Sequence, residues 1–187
     1  MQHAWIPRIE RAQMPQDLAD YLEPRVRRLG YLGEMFQVGA NAPQVLQHFL
    51  HLTDALKEGL AFDIGETVVL TVAGWMDNAY ERNQHERLCV RTGLGSDWLR
   101  EVERLLPDDA LGLTPGQRAA QRFALAALES RGKNVEAAFS ALQEHFTAAE
   151  AVTLVFLVGR YVTHALVVNT FQLAPPVPSV FEDGFQA

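Results

Sequence analysis

The fold is decided by the stretch EGLAFDIGETVVLTVAGWMDNAYERNQHERLCVRTGL, residues 58–94, which can be either two helices or a strand followed by a helix. Its centre, VVLTV at 68–72, contains the β-branched residues that suit a buried strand. No second strand of similar quality occurs elsewhere in the chain to pair with it. The stretch therefore predicts one helix over 63–76 and a second over 77–92 that ends at Gly93.

Helical spacing of apolar residues also dominates the rest of the chain. We expect Pro24 to kink or split the first helix, because proline lacks the amide hydrogen that a helix interior requires. The prolines of the tail break regular structure, and we expect the tail to pack in extended form on the body or on a neighbouring molecule. The sequence thus predicts a single all-α domain, with further helices over 15–30, 42–59, 96–107, 114–132, 134–146 and 147–173.

Composition narrows the possible partners and location. The chain has 187 residues, 48% of them hydrophobic, and a net charge of −7, which argues against nucleic acid as a partner. A single cysteine cannot form an internal disulfide, so we expect a reducing, cytoplasmic location, and we see no signal peptide. The most apolar stretch, 151–168, contains an arginine and a histidine and spans only 18 residues, which favours a buried or interface helix over a membrane span.

Chemically useful side chains concentrate in the second helix of the opening stretch. Asn78, Glu81, His85 and Cys89 share one face of a helix, so a carboxylate lies one turn before an imidazole. Such a pair is a candidate general acid or base, and the imidazole could activate the thiol one turn later. Structural roles fit the same residues: Asn78 as a helix cap, Cys89 as a small buried residue, and Tyr80 as a core aromatic.

Metal binding is not indicated by the spacing of histidines and cysteines. His48 and His51 are three residues apart, which can place two ligands on one ion, but no further ligand lies near them in the sequence. We therefore expect no metal and no cofactor.

The order of features resembles the carboxymuconolactone decarboxylase and alkylhydroperoxidase D-like (AhpD-like) superfamily. LGYLGEMFQVGANAPQVLQHFLHLTDAL at 29–56 is similar to the opening of that family, and 58–94 is similar to its helix pair. LTPGQRAAQRFALAAL at 113–128 and the Gly-Arg-Tyr at 159–161 resemble its C-terminal part. The resemblance implies an AhpD-like helical bundle over 29–173, preceded by a helical segment at 1–28 and followed by a proline-rich tail at 174–187.

The resemblance also assigns roles within the helix pair. In the family, a Glu precedes a Cys-x-x-Cys pair, and a His follows four residues after the second Cys. Glu66 and His85 match the family's Glu and His, whereas Asn78 and Glu81 stand where the two cysteines would be. Tyr80 stands where a tyrosine is frequent, so the resemblance implies Asn78 and Tyr80 as substrate-binding residues.

Loss of both cysteines changes the expected chemistry. The peroxidase branch uses two thiols, one attacking the peroxide and the other resolving the sulfenic acid, so this dithiol mechanism is not available here. The decarboxylase branch needs no redox thiol and acts on a lactone acid through acid/base groups. Retention of Glu66, Glu81 and His85 therefore favours proton transfer on a small organic molecule.

Two alternatives remain open at the level of sequence. Cys89 could support an altered alkylhydroperoxidase activity with an external thiol, or the scaffold could be a non-catalytic oligomeric binding protein. The resemblance implies a homo-oligomer, a trimer or hexamer or else a dimer, with the apolar helix at 151–168 and the tail as interface surface.

Overall fold

The computed structural model describes residues 6–182, and these fold into a bundle of helices without a strand. The ends of the predicted N-terminal segment and tail, residues 1–5 and 183–187, lie outside the described part. A short 3₁₀ turn at Arg11–Gln13 precedes α1 Gln16–Leu29, α2 Glu34–Gly39, α3 Pro43–Glu58, α4 Phe62–Trp75, α5 Ala79–Arg91, α6 Gly95–Glu103, α7 Pro115–Ser130, α8 Glu136–Gln143 and α9 Ala148–Phe171. The predicted all-α, single-domain fold is confirmed.

Helix α4 lies at the centre of the bundle, where it packs against α5, α7 and α9. Residues 66–73 are all buried, so the β-branched run of 68–72 meets other helices on every side. Thr67 and Thr71 satisfy their hydroxyl groups within the helix by donating to carbonyls one turn earlier, at 2.7 and 2.6 Å. The run therefore forms a fully buried helix, as the absence of a partner strand predicted.

The N-terminal helices form one body with the rest of the chain. Leu18 and Leu22 of α1 belong to the same buried cluster as Leu50 of α3, Tyr80 of α5 and Val168 of α9. Pro24 does not split α1, which runs unbroken from Gln16 to Leu29.

Helix α9 is a core helix with one exposed side. Among the described residues it is the one helix long and apolar enough to cross a membrane, with a mean hydropathy of 1.8, but half of its most apolar window is buried. Its buried face includes Arg160 and His164, which places polar groups inside the bundle rather than toward an apolar solvent.

The tail packs on the body of the protein. Asn83 Nδ2 donates to the carbonyl of Val177 at 2.9 Å, and Arg87 Nε donates to the carbonyl of Pro178 at 2.9 Å. The buried carboxylate of Glu86 accepts from Ser179 Oγ at 2.5 Å and from the amide of Val180 at 2.8 Å. The described part of the tail therefore forms a strap along α5.

Candidate active site

The turn between α4 and α5 places the first residues of the site. Asn78 is the N-cap of α5, and its side-chain oxygen accepts from the amide of Glu81 at 3.2 Å. This bond satisfies one of the unpaired amides at the start of the helix. The structural role considered for Asn78 is therefore observed, and it fixes where Glu81 and His85 begin to project from α5.

The two nitrogens of the His85 imidazole have different contacts. Nδ1 contacts the carboxylate of Glu66 in a short hydrogen bond, across the interface between α4 and α5. Nε2 has only long contacts, 3.5 Å to Glu81 Oε1 and 3.4 Å to the hydroxyl of Tyr161. Burial by itself would lower the pKa of His85, but the two carboxylates outweigh burial and raise the pKa above its usual value.

Glu81 is a buried carboxylate with cationic or polar partners on both oxygens. Oε1 lies 3.3 Å from Arg160 Nη1, and Oε2 lies 3.4 Å from His164 Nε2. Burial by itself would raise the pKa of Glu81, but His164, His85 and Arg160 together hold it well below its usual value. Glu81 is therefore ionised at neutral pH despite its burial.

Helix α9 supplies three further residues that the sequence did not predict as site residues: Arg160, Tyr161 and His164. Arg160 Nε donates to Thr53 Oγ1 at 2.8 Å, and its guanidinium lies over the rings of Phe49 and Tyr161 at 4.7 and 4.1 Å. These contacts hold Arg160 from several sides, so its position is fixed before any ligand binds. The Gly-Arg-Tyr sequence at 159–161 was the one available signal for this helix.

His164 connects the start of α5 to Glu81. Its Nδ1 lies 3.2 Å from Asn78 Nδ2, which can only donate, so Nε2 carries the ring hydrogen and donates toward Glu81. Burial lowers the pKa of His164 to about 4, with Glu81 opposing the shift. His164 is therefore a neutral ring that orients Glu81.

Tyr80 connects α5 to the N-terminal helices. Its hydroxyl accepts from the amide of Met35 at 3.2 Å, and burial raises its pKa. A Cβ at Gly33 would lie 2.6 Å from this hydroxyl, so the absence of a side chain at Gly33 is what admits the tyrosine. The packing role considered for Tyr80 is therefore observed, and the ring also lines the cavity described next.

A cavity of about 220 Å³ opens beside these groups. Its wall includes Tyr80, Glu81 and His85 from the predicted site and Arg160, Tyr161 and His164 from α9. Glu66 and Asn78 stand one layer behind this wall, where Glu66 contacts His85 and Asn78 contacts His164. Of the predicted substrate-binding pair, Tyr80 thus reaches the cavity, whereas Asn78 lies behind the wall in contact with His164.

Cys89 lies in a different environment from the cavity. Its side chain is completely buried in an apolar cluster with Leu70, Trp98 and Leu99, and its sulfur lies 3.7 Å from Glu66 Oε2. Burial and the neighbouring carboxylate both raise the pKa of the thiol, which disfavours the reactive thiolate. No group of three or more potential metal ligands occurs within residues 6–182.

Solved structures of other proteins share this architecture. An AhpD-core, peroxidase-related protein from Ralstonia eutropha JMP134 superposes with a TM-score of 0.80, at 24% identity over 90% of each chain. The chain has the AhpD-like fold. No protein-family model and no curated protein matches the sequence.

Two more proteins with the AhpD-like fold are similar to this chain. A putative antioxidant defence protein AhpD from Agrobacterium tumefaciens has a TM-score of 0.67 at 18% identity, covering 75% of this chain and 96% of that one. The debrominase Bmp8, in a cysteine-to-alanine variant bound to 2,3,4-tribromopyrrole, has a TM-score of 0.80 at 13% identity, covering 94% of each chain.

Proposed function

We propose that this AhpD-like protein is an acid/base enzyme that moves protons to and from a small organic molecule beside His85, without a redox thiol. The observation that carries the proposal is the unequal use of the His85 nitrogens. Glu66 holds Nδ1 from behind, while the two contacts of Nε2, to Glu81 and Tyr161, are longer than ordinary hydrogen bonds and lie at the cavity wall. Contacts of this kind tighten when a substrate binds.

The charges around His85 suit it to act first as an acid. Its raised pKa increases the fraction of imidazolium at neutral pH, and Glu81 supplies a compensating negative charge. A proton given from Nε2 to a substrate atom leaves a neutral imidazole still bound to Glu66 through Nδ1. That imidazole can accept a proton from the substrate or from water in a later step, which restores the starting state.

The size of the cavity and one of the similar structures support a small substrate. The volume of about 220 Å³ is below the roughly 300–1,000 Å³ of pockets for drug-sized ligands. Bmp8 shows that a protein of this fold binds a small heteroaromatic molecule. Decarboxylation of a lactone acid, which the family resemblance implies, is one reaction of the proposed class.

The environment of Cys89 favours this proposal over the altered peroxidase. A peroxidase cysteine must reach the peroxide as a thiolate, whereas this thiol is buried, has a raised pKa and lies behind Glu66. The open cavity at His85 likewise favours catalysis over a purely structural polar cluster.

Incubation with small organic acids in deuterium oxide, followed by proton NMR, tests the proposal. This readout detects exchange of carbon-bound hydrogen as well as formation of product. We expect the wild type to convert at least one molecule that binds the cavity, and His85→Gln to reduce the rate by about 10²–10⁴-fold. His145→Gln, which removes an exposed histidine away from the cavity, should leave the rate unchanged. Bound molecules that never exchange or react would contradict the proposal.

The proposal extends to a cytoplasmic homo-oligomer. Val152, Val155 and Phe156 of α9 are about half exposed, and Leu52 of the neighbouring α3 is also exposed. Gly159 lies on the exposed side of α9, where a Cβ would meet no atom of another described helix within 4 Å. This side of α9 would accept the same side of a second copy at short distance, and burying it would remove apolar surface from water.

A further inference from the structure

The wall of the cavity is basic, although the protein as a whole is acidic. The chain has a net charge of −7. Among the described residues that line the cavity, only Asp54 and Glu81 are acidic, whereas six are basic: Arg25, Arg28, Lys57, Arg87, Arg91 and Arg160. The chain as a whole is negatively charged, so the excess of positive charge is a local property of the cavity wall.

Both acidic residues of the wall are already paired. Asp54 forms an ion pair with Arg25, which also donates to Tyr21. Glu81 forms an ion pair with Arg160 inside the site. The two carboxylates are thus matched by two of the six cations, and Arg28, Lys57 and Arg91 supply excess positive charge.

These remaining cations come from three helices and surround the opening. Arg28 of α1, Lys57 of α3 and Arg91 of α5 are exposed at the cavity, and within residues 6–182 no carboxylate forms an ion pair with any of them. Cations that converge on a cleft raise the local concentration of anions and bind them through charge-assisted hydrogen bonds.

Arg28, Lys57 and Arg91 form a basic rim of the cavity, and this rim interacts electrostatically with the groups around His85. Lys57 interacts electrostatically with Arg28, which also lines the cavity, and with Arg160, Glu66 and Glu81 of the site. The rim lines the same cavity as His85, so one bound molecule can contact both.

We propose that the cavity binds a small organic carboxylate, whose carboxylate group is held by Arg28, Lys57 and Arg91 while the rest of the molecule reaches His85. This inference rests on the proposed function and names its substrate class. The rim would supply binding energy remote from the reacting atoms, which positions the substrate for proton transfer.

Binding of matched acids and amides by the full chain tests the inference. The probes are benzoate with benzamide and 2-furoate with 2-furamide, titrated by protein-observed NMR at low and high ionic strength. We expect the wild type to bind each carboxylate at least about tenfold more tightly than its amide at low salt, with the preference shrinking at high salt. The double variant Arg28→Gln/Arg91→Gln should reduce the preference to about twofold or less.

A second double variant controls for net charge and for folding. Arg27→Gln/Arg104→Gln removes two exposed arginines that do not line the cavity, so it lowers the charge equally and should keep the preference. Three outcomes would each overturn the inference: equal binding of acids and amides, no binding of any probe, or a preference that survives loss of Arg28 and Arg91. Because the readout is binding, acids that bind selectively but never react would contradict only the proposed proton transfer.

Discussion

The proposed proton transfer depends on His85, because its two nitrogens face two different surroundings. Glu66 approaches Nδ1 from α4, in the layer behind the wall, while Glu81 and Tyr161 approach Nε2 at the cavity. A carboxylate behind an imidazole fixes its tautomer and raises its proton affinity. In the proposed mechanism Glu66 is therefore a positioning residue, since it would act on the substrate only through His85.

Replacement of Glu66 tests whether its carboxylate raises the pKa of His85. Glu66→Gln keeps an oxygen that can accept from Nδ1 but removes the negative charge, so the pKa of His85 should fall by about one unit or more. An NMR titration of the His85 ring measures this shift. Asp77→Asn removes an exposed carboxylate from the turn before α5 and should leave the His85 pKa in place. An unchanged His85 pKa in Glu66→Gln would contradict the role assigned to Glu66.

The part of the site that the sequence predicts is the part carried by the α4–α5 pair. Glu81 and His85 are one helical turn apart, so their proximity follows from spacing, and the resemblance added Glu66. Arg160, Tyr161 and His164 lie about 75 or more residues further along the chain. Their approach to His85 depends on how α9 packs across α4, which helical periodicity does not determine.

Among the elements, periodicity predicted the helices well, including α4, whereas the expected split of α1 at Pro24 is not observed. The run at 68–72 could be assigned to a helix only because it lacked a partner strand, and burial on all sides explains why β-branched residues are tolerated there. Pro24 was expected to kink or split α1, and the prediction of a split is wrong, since the helix runs from Gln16 to Leu29 without a break. The packing of Leu18 and Leu22 offsets the one missing amide hydrogen bond.

The strap is held by the buried carboxylate of Glu86, which also contributes, after burial, to the raised pKa of the neighbouring Glu103. Glu86 of α5 accepts from Ser179 and Val180 of the strap, forms an ion pair with Arg82, and lies close enough to Glu103 of α6 to affect its pKa. Burial and then Glu86 raise the pKa of Glu103 to about 8, while Arg82 and Arg100 oppose the shift.

This arrangement predicts a pH dependence of folding stability. Glu103 has a pKa of about 8 in the native state and an ordinary value of 4.5, so the native state binds more protons between these values. Its contribution to stability is therefore fully present below about pH 4.5 and is lost as the pH rises through 8.

Glu103→Gln removes this dependence. The variant should gain stability relative to the wild type at pH 9 and gain least at pH 5, as measured by urea unfolding at a fixed protein concentration. Glu129→Gln, an exposed site on α7, should change stability equally at both pH values. A Glu103→Gln variant that loses stability more at pH 9 than at pH 5 would contradict the raised pKa of Glu103.

For the whole molecule, the main question is what covers the exposed side of α9. Phe156 is 59% exposed at the middle of that side. If a second copy packs there, Phe156→Glu would place a charge in an apolar interface and should reduce the mass in solution to the 20.9 kDa of one chain. Size-exclusion chromatography with light scattering measures this mass. Leu111→Glu, at a position 91% exposed and away from α9, should keep the oligomer. A wild-type protein that is already a monomer would contradict the proposed assembly.

The central claim is that His85, and not Cys89, carries the chemistry of this AhpD-like fold. The most direct measurement compares the turnover of one converted acid, followed by proton NMR, in Cys89→Ala and His85→Gln beside the wild type. We expect Cys89→Ala to keep its rate within about threefold, since the thiol lies behind Glu66, and His85→Gln to lose about 10²–10⁴-fold. Loss of turnover in Cys89→Ala with retention in His85→Gln would show that the thiol, and not the imidazole, carries the chemistry.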